Sequence, residues 1–294
     1  MLLRRQIPQI TGYSSTWANI GKVENVGLDI SLKTANISTD DFKWSTNWNF
    51  STFRNKIVDL YGDKKSDIGN RWFIGESLGA IYDYKMIGVW QESEATEAAK
   101  FSARPGYLKF EDVNPDGKID ANDRVIQGSN QPKWTGGITN SFDYKNIHLS
   151  IFIQTFQGSL KNDVDLSYAD EAGRRNTPAE VGYWTAENKS NTRPSLAYNN
   201  TYGYGYPRDN SYTRIKDVTL SYNFSQALLQ RTFLKSLTIY TSGRNLYTFT
   251  NWIGWDPEDN YLPRGTTQNN GTLTWTNNYP SVRSIVFGLN VTLK

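Results

Sequence analysis

Apolar and polar residues alternate with period two through much of the chain. From 41 to 51 the even positions carry Phe42, Trp44, Thr46, Trp48 and Phe50, and the odd ones Lys43, Ser45, Asn47, Asn49 and Ser51. Val26, Leu28, Ile30 and Leu32 alternate with Gly27, Asp29, Ser31 and Lys33. Val218, Leu220, Tyr222 and Phe224 do so against Asp217, Thr219, Ser221 and Asn223, and Ile285, Phe287, Leu289, Val291 and Leu293 against Val286, Gly288, Asn290 and Thr292. Trp134, Ile138, Phe142 and Tyr144 share one side of a further stretch. Successive side chains of a strand point to opposite faces, so each stretch predicts a strand with one apolar and one polar face. Seven are predicted, at 22–38, 41–56, 133–145, 147–158, 212–224, 236–249 and 282–294. Residues 81–90 are a further candidate that raises the count to nine, and 94–101 reads as a short helix carrying Ala95, Ala98 and Ala99.

The length of these strands points to a membrane. Strands of soluble proteins run about 5–6 residues, whereas a tilted membrane strand needs about 9–11. Trp44, Trp134, Tyr144, Tyr222, Phe224, Tyr247 and Phe249 sit near strand ends, where a bilayer interface places its aromatic girdles. Connections alternate strictly. Short turns fall at 39–40, 145–146 and 225–235, and long segments at 57–132, 159–211 and 250–281. That is the arrangement of barrels with tight periplasmic turns and long external loops. The fold class expected is all-β: an antiparallel transmembrane β-barrel, of which 1–294 supplies a C-terminal portion of seven to nine strands. Leu28, Trp48, Leu220 and Leu289 should face lipid, and Asp29, Asn47, Asp217 and Asn290 the lumen.

Composition agrees with that frame. No apolar run of about 18 residues occurs, which excludes helical spans. The mean hydropathy of −0.62 suits a barrel, whose apolar residues occupy every second position. Basic residues number 32 and acidic ones 29, interspersed, so nothing marks a nucleic-acid binder. Cysteine is absent, which leaves no disulfide framework. Met1, Leu2 and Leu3 are followed at once by Arg4 and Arg5, with no apolar signal segment. An exported protein starts with one, so the chain is expected to be a piece of a longer protein.

The sharpest chemical motif is Asp112-Val113-Asn114-Pro115-Asp116-Gly117-Lys118-Ile119-Asp120-Ala121-Asn122-Asp123. It places oxygen ligands where a calcium loop needs them: Asp112, Asn114, Asp116, the Lys118 carbonyl, Asp120 and Asp123, with Gly117 at the sharp turn. Asp123 stands where such loops usually carry the longer Glu, and 106–111 reads as extended rather than as an entering helix. The expectation is one structural Ca2+, against the plainer reading of an Asp/Asn/Gly turn. Aromatic residues crowd the long segments: Tyr198, Tyr202, Tyr204 and Tyr206 in one, Trp252, Trp255, Tyr261, Trp275 and Tyr279 in another. They are candidates for a substrate or partner surface, against the alternative that the loops pack on one another. No catalytic residue is predicted. His148 is the lone histidine, so triads and His-based zinc sites lack support. Asp256 and Glu258 flank Pro257 and read as turn residues rather than as a glycosidase pair.

In order along the chain, several blocks resemble the SusC/RagA family of TonB-linked outer-membrane proteins of Bacteroidetes. They include Asn19-Ile20-Gly21-Lys22-Val23-Glu24-Asn25-Val26-Gly27, Gly88-Val89-Trp90-Gln91, the acidic loop, and Pro132-Lys133-Trp134-Thr135-Gly136-Gly137. Tyr212-Thr213-Arg214-Ile215-Lys216-Asp217, Asn245-Leu246-Tyr247-Thr248-Phe249-Thr250 and Gly254-Trp255-Asp256-Pro257-Glu258 follow. The resemblance implies an importer of oligosaccharides or peptides, partnered by a SusD-like surface lipoprotein. It also implies coupling to the TonB complex through a plug-bearing N-terminal part that 1–294 does not contain. Two rival readings are a secreted, calcium-braced carbohydrate-binding β-domain and a surface glycan hydrolase.

Overall fold

The structure, a computed structural model, describes residues 2–6, 10, 12–13, 15–19, 21–163, 166–167, 170, 182–254, 256–258 and 281–294. Two short strands, β1 (Leu2–Gln6) and β2 (Ser15–Asn19), pair with each other ahead of the long hairpin β3 (Gly21–Ser38) and β4 (Phe42–Leu60). An excursion follows that holds β5 (Ala80–Tyr84), β6 (Met86–Val89), helix α1 (Ala95–Lys100), β7 (Leu108–Phe110) and β8 (Arg124–Ser129). Next come the hairpin β9 (Trp134–Tyr144) and β10 (Ile147–Gln157), then β11 (Leu160–Asn162) and β12 (Pro207–Asp209). The chain closes with β13 (Tyr212–Asn223), a turn carrying helix α2 (Gln226–Leu229), β14 (Leu234–Thr250) and β15 (Ser284–Leu293).

Seven strands form one antiparallel sheet in the order β15-β14-β13-β10-β9-β4-β3. These are the seven predicted strands, matched to within a few residues at each end. The ninth-strand count fails: 80–89 is two short strands, β5 pairing β8 and β6 pairing β7, outside the wall. β3 and β15 are its two edges, and the sheet is open. The short turns lie at one end, and the three long segments leave from the other.

Register carries the two-faced pattern from strand to strand. Leu32 pairs with Trp48, Trp48 with Ile138 and Ile138 with Ile153. Leu149 pairs with Leu220, Tyr222 with Ile239, and Ile239 with Leu289. Directly paired residues share a face, so these side chains make one continuous apolar surface. Leu28, Leu220, Phe287 and Leu289 are exposed on it, at 55%, 45%, 80% and 68%. The opposite face carries Asp29 beside Ser51, Lys33 beside Asn47, Asp143 beside His148, Thr219 beside Ser242 and Asn290 beside Thr238.

Aromatic rings band the apolar face at two heights. Trp44 stacks on Phe142 at 5.9 Å near the turn end, and Phe50 on Trp134 at 5.8 Å near the loop end. Tyr222 and Phe224 extend the first band, and Tyr247 and Phe249 the second. Trp134 and Tyr144 are the two ends of β9. At about 3.4 Å per residue and a tilt of about 40°, they stand on the order of 25 Å apart along a membrane normal, the height of an outer-membrane apolar band.

A break in the alternation on β13 redirects side chains at the loop end. On β13 the apolar set is even from Val218 to Tyr222, but Ile215 pairs with Ile153 and Tyr247, so beyond the break the set is odd. Lys216 is the extra residue of this β-bulge, and the register against β14 skips Asn245 and Leu246 at the same level. Asn245 has a φ of 50°. The shift turns Tyr212 and Arg214 to the polar side; without it Arg214 would face the apolar side.

Substitution tests the facing directly. Arginine at Leu28, Leu220 or Leu289 should cost about 2–4 kcal/mol near the bilayer midplane, while arginine at Asp29, Asn47 or Asn290 should be tolerated. The measurement is denaturant unfolding of the full-length protein refolded in lipid. Equal sensitivity of the two sets would mean that both faces are alike in their surroundings.

Candidate functional site: the external loop core and the polar wall

Segments 57–132 and 159–211 pack together around a core of their own. Tyr84, Val89, Leu108, Phe110, Leu166, Tyr198, Tyr204 and Tyr206 are buried together, with Met86, Tyr107, Ile119, Trp184 and Tyr202 packed against them. Phe110 meets Tyr204 edge-on at 5.1 Å and Tyr202 at 5.6 Å. Residues about a hundred positions apart thus make one unit, held by aromatic contacts worth about 0.5–1.5 kcal/mol each beyond area burial.

Buried polar groups fix that unit. The Asp83 carboxylate accepts from the Tyr84 and Gly205 amides, both at 2.8 Å. A Cβ on Gly205 would stand 2.7 Å from Asn162 Nδ2 and 3.1 Å from Asp83 Oδ2, so the approach requires glycine. Asp170 accepts from Arg193 at 2.6 and 3.1 Å and from the Tyr206 hydroxyl. Burial pushes the Asp170 carboxyl up to about 6, against the pull of Arg193.

Of the predicted surface aromatics, Tyr198, Tyr204 and Tyr206 are therefore core residues, while Tyr202 keeps partial exposure. The physical reason is that rings in two long segments bury more apolar area against one another than against water. Trp252 is half-buried, with the Lys161 ammonium 5.2 Å from its ring centroid. Trp255, Tyr261 and Trp275 lie outside the described residues.

The acidic loop joins this core through Ile119. Asp112 accepts from the Asp116 amide at 3.2 Å and the Gly117 amide at 2.8 Å. Asp116 accepts from the Lys118 amide and from Asn114 Nδ2, and Asp120 from the Asn122 amide. Asp123, fully buried, accepts from the Val113 amide at 2.9 Å and the Asp120 amide at 2.7 Å, tying the two ends of the loop together. Gly117 turns at a φ of 77°. Among the described residues, no three His, Cys, Asp or Glu side chains are arranged to hold a metal ion. In this arrangement the carboxylates are hydrogen-bond acceptors for the loop's own backbone.

Other candidates resolve into partners. His148 Nδ1 lies 2.8 Å from Asp143 on the polar wall. Asp256 and Glu258 are both bound by Arg214, at 2.6 Å each. Arg214 was not singled out from the sequence, although the three-residue step from Ile215 to Val218 marks the bulge that turns it. A recess of about 580 Å3 opens on the polar wall, lined by Asp29, Ser31, Asn49, Phe152 and Gln154, where Gly137 offers no side chain.

A sheet of long antiparallel strands, apolar between two aromatic bands on one face and polar on the other, is a section of an outer-membrane β-barrel. Relatives agree. Over 309 residues the chain is 33% identical to the TonB-dependent receptor P3 of Formosa agariphila, covering 99% of the chain and 31% of that receptor. It is 25% identical over 277 residues to the TonB-dependent receptor SusC of Bacteroides thetaiotaomicron, covering 86% of the chain and 26% of SusC. The RagAB peptide importer in its "open-open" state has the same fold, with a TM-score of 0.76 at 23% identity over 99% of this chain and 31% of that one. No protein-family profile matches. The chain belongs to the SusC/RagA family of TonB-dependent receptors, which are outer-membrane proteins, and spans about a third of the length of the relatives it matches.

Asp123→Ala would leave two amides without their acceptor in a buried place, at about 1–3 kcal/mol for each donor. Hydrogen exchange should then rise through 111–126 while the β9–β10 hairpin keeps its protection. Unchanged exchange in the loop would show that Asp123 does not hold it.

Proposed function

We propose that this chain supplies part of the wall and the external loop core of a TonB-dependent importer that takes up oligosaccharides or peptides. The observation that carries the reading is the two-faced sheet. A secreted carbohydrate-binding domain would expose that apolar face to water, and exposed apolar patches of this extent do not persist on soluble monomers. Seven strands are few against the roughly 22 that enclose a plugged lumen, so the remainder of the barrel comes from outside 1–294. Contact with the TonB complex belongs to that remainder. A SusD-like lipoprotein is the partner proposed for the loop core, with Tyr202, Trp252, Trp255, Tyr261 and Trp275 as candidate contacts. The likeness to the RagAB peptide importer supports peptides as a cargo class, and nothing in the chain selects between peptides and oligosaccharides.

The test uses the full-length protein. It should fractionate with the outer membrane and migrate differently before and after boiling in detergent. Deleting its gene should abolish growth on an oligosaccharide or on peptides as sole carbon source. A soluble, heat-insensitive protein would contradict the membrane reading, and unimpaired growth on both nutrient classes would contradict import.

The same reading assigns one calcium ion to 112–123, as a brace for the loop core. Each carboxylate oxygen has two lone-pair directions, and the amides that Asp112 and Asp123 accept leave others for a cation. Binding requires Asn114, Asp116 and Asp120 to turn inward from their present hydrogen bonds. Titration calorimetry on chelator-treated protein should show calcium binding that Asp112→Ala and Asp116→Ala each remove. Affinity unchanged in both variants would make the loop a turn held by its own backbone.

A further inference from the structure

The apolar side of the wall is not smooth. A groove of about 570 Å3 runs across β10, β13, β14 and β15 near the turn end. Two rows of directly paired residues line it. Tyr222, Ile239 and Leu289 make the row nearer the turns, and Leu220, Thr241 and Phe287 the row beyond it. At about 3.4 Å per residue and a tilt of about 40°, the second row lies about 5 Å deeper toward the midplane. Thr241 makes the notch: its short side chain sits between the larger Leu220 and Phe287.

The setting limits what fills this groove. Its first row belongs to the turn-end aromatic band, since Tyr222 pairs with Ile147 and Ile147 with Tyr144. Such bands stand at the level of the lipid headgroups. The groove therefore starts at the headgroups and runs into hydrocarbon. Its walls are aliphatic and aromatic but for Thr241 and Ser221, so water there would find too few polar partners to be held.

A cation stands at the mouth. Ile147 lines the groove, and Lys145, two residues earlier in the β9–β10 turn, holds its ammonium 5.5 Å from the centre of the Tyr144 ring. Tyr144 is on the apolar side and exposed, which brings the charge to the edge of that side. Among the described residues no carboxylate pairs with Lys145, so the ammonium is open to an anion at headgroup level.

We propose that the groove is a binding site for one phospholipid of the periplasmic leaflet: an acyl chain lies in the notch over Thr241, and the phosphate sits on Lys145. The choice of leaflet rests on the importer reading, which puts the short turns in the periplasm; the groove and its cation do not. A chain that leaves bulk lipid for the groove gains nothing from the hydrophobic effect. It is held by close packing against Leu220 and Phe287, and the phosphate supplies the selection. A lipid beside a smooth stretch of wall has neither.

The experiment is native mass spectrometry of the full-length protein, delipidated in mild detergent and titrated with dipalmitoyl phosphatidylglycerol or with dipalmitoylglycerol, which lacks the phosphate. Wild type should hold one more phosphatidylglycerol per protomer than Thr241→Phe, which fills the notch, and Thr241→Val should behave as wild type. Packing and polar contacts within a membrane predict a loss of about fivefold in affinity for Thr241→Phe. Lys145→Gln should remove the preference for phosphatidylglycerol over dipalmitoylglycerol. Equal lipid retention by wild type and Thr241→Phe would overturn the site, and so would equal loss in Thr241→Phe and Thr241→Val. An unchanged preference in Lys145→Gln would overturn the placement of the phosphate. A dimer that Thr241→Phe converts to monomer would show a second copy in the groove in place of lipid. Any of these results in a protein that still fractionates with the outer membrane counts against the groove alone; a protein that is not in the membrane would overturn both readings.

Discussion

Backbone hydrogen bonding in hydrocarbon is the constraint on which the rest of this structure depends. No water competes there, so each strand's amides and carbonyls must be matched by a neighbour, at several kcal/mol for each one left over. The seven strands meet that demand by antiparallel pairing of each strand with the next from β15 to β3, with local bulges. Once the ladder is in register, the facing of every side chain is settled. A slip of one residue would bring Asp29, Asn47 and Asn290 to the lipid side together. The apolar and polar faces are in this sense a consequence of the ladder, and the aromatic bands mark where its membrane-embedded part stops.

The bulge at Lys216 lies just to the membrane side of the loop-end band, next to the Ile215–Tyr247 pair, and it changes the parity of β13 so that Tyr212 and Arg214 face inward while Ile215 stays on the apolar face. Tyr212 stacks on Phe156 at 5.7 Å on that inner side. Past the wall, structure is held by different physics. The loop core packs tyrosines and Phe110 around buried carboxylates that each have an arginine or amide partner, and the acidic loop is closed on itself by Asp112 and Asp123. Wall and loops are therefore stabilised by separate terms: lipid and strand pairing for one, aromatic burial and charge pairing for the other.

Much of the wall was legible in the sequence because a period of two runs through most of each strand and long-range contacts only have to agree with it. The short turns and the short helix after Gln91 were legible for the same local reason. The loop core was not. Whether Tyr204 and Tyr206 are surface or interior depends on a partner segment near Phe110, about a hundred residues away, and no local pattern encodes that pairing. The acidic loop shows a third situation. Its ligand spacing is plain, yet spacing does not say whether Asp116 and Asp120 point at a cation or at the loop's own amides. Arg214 left only a faint trace, the three-residue step between Ile215 and Val218, which reads as noise until the register explains it.

The most direct measurement of the central claim is a scan of spin labels along β15, in the full-length protein reconstituted in lipid. Residues 1–294 hold no cysteine; with any cysteine outside them replaced, each cysteine introduced in 284–293 gives one label. Accessibility to oxygen, which concentrates in hydrocarbon, should exceed accessibility to a water-soluble nickel chelate at 285, 287, 289 and 291. The order should reverse at 286, 288 and 290. A period-two alternation of that phase is the result predicted; uniform accessibility to the nickel chelate along the strand would contradict a membrane wall.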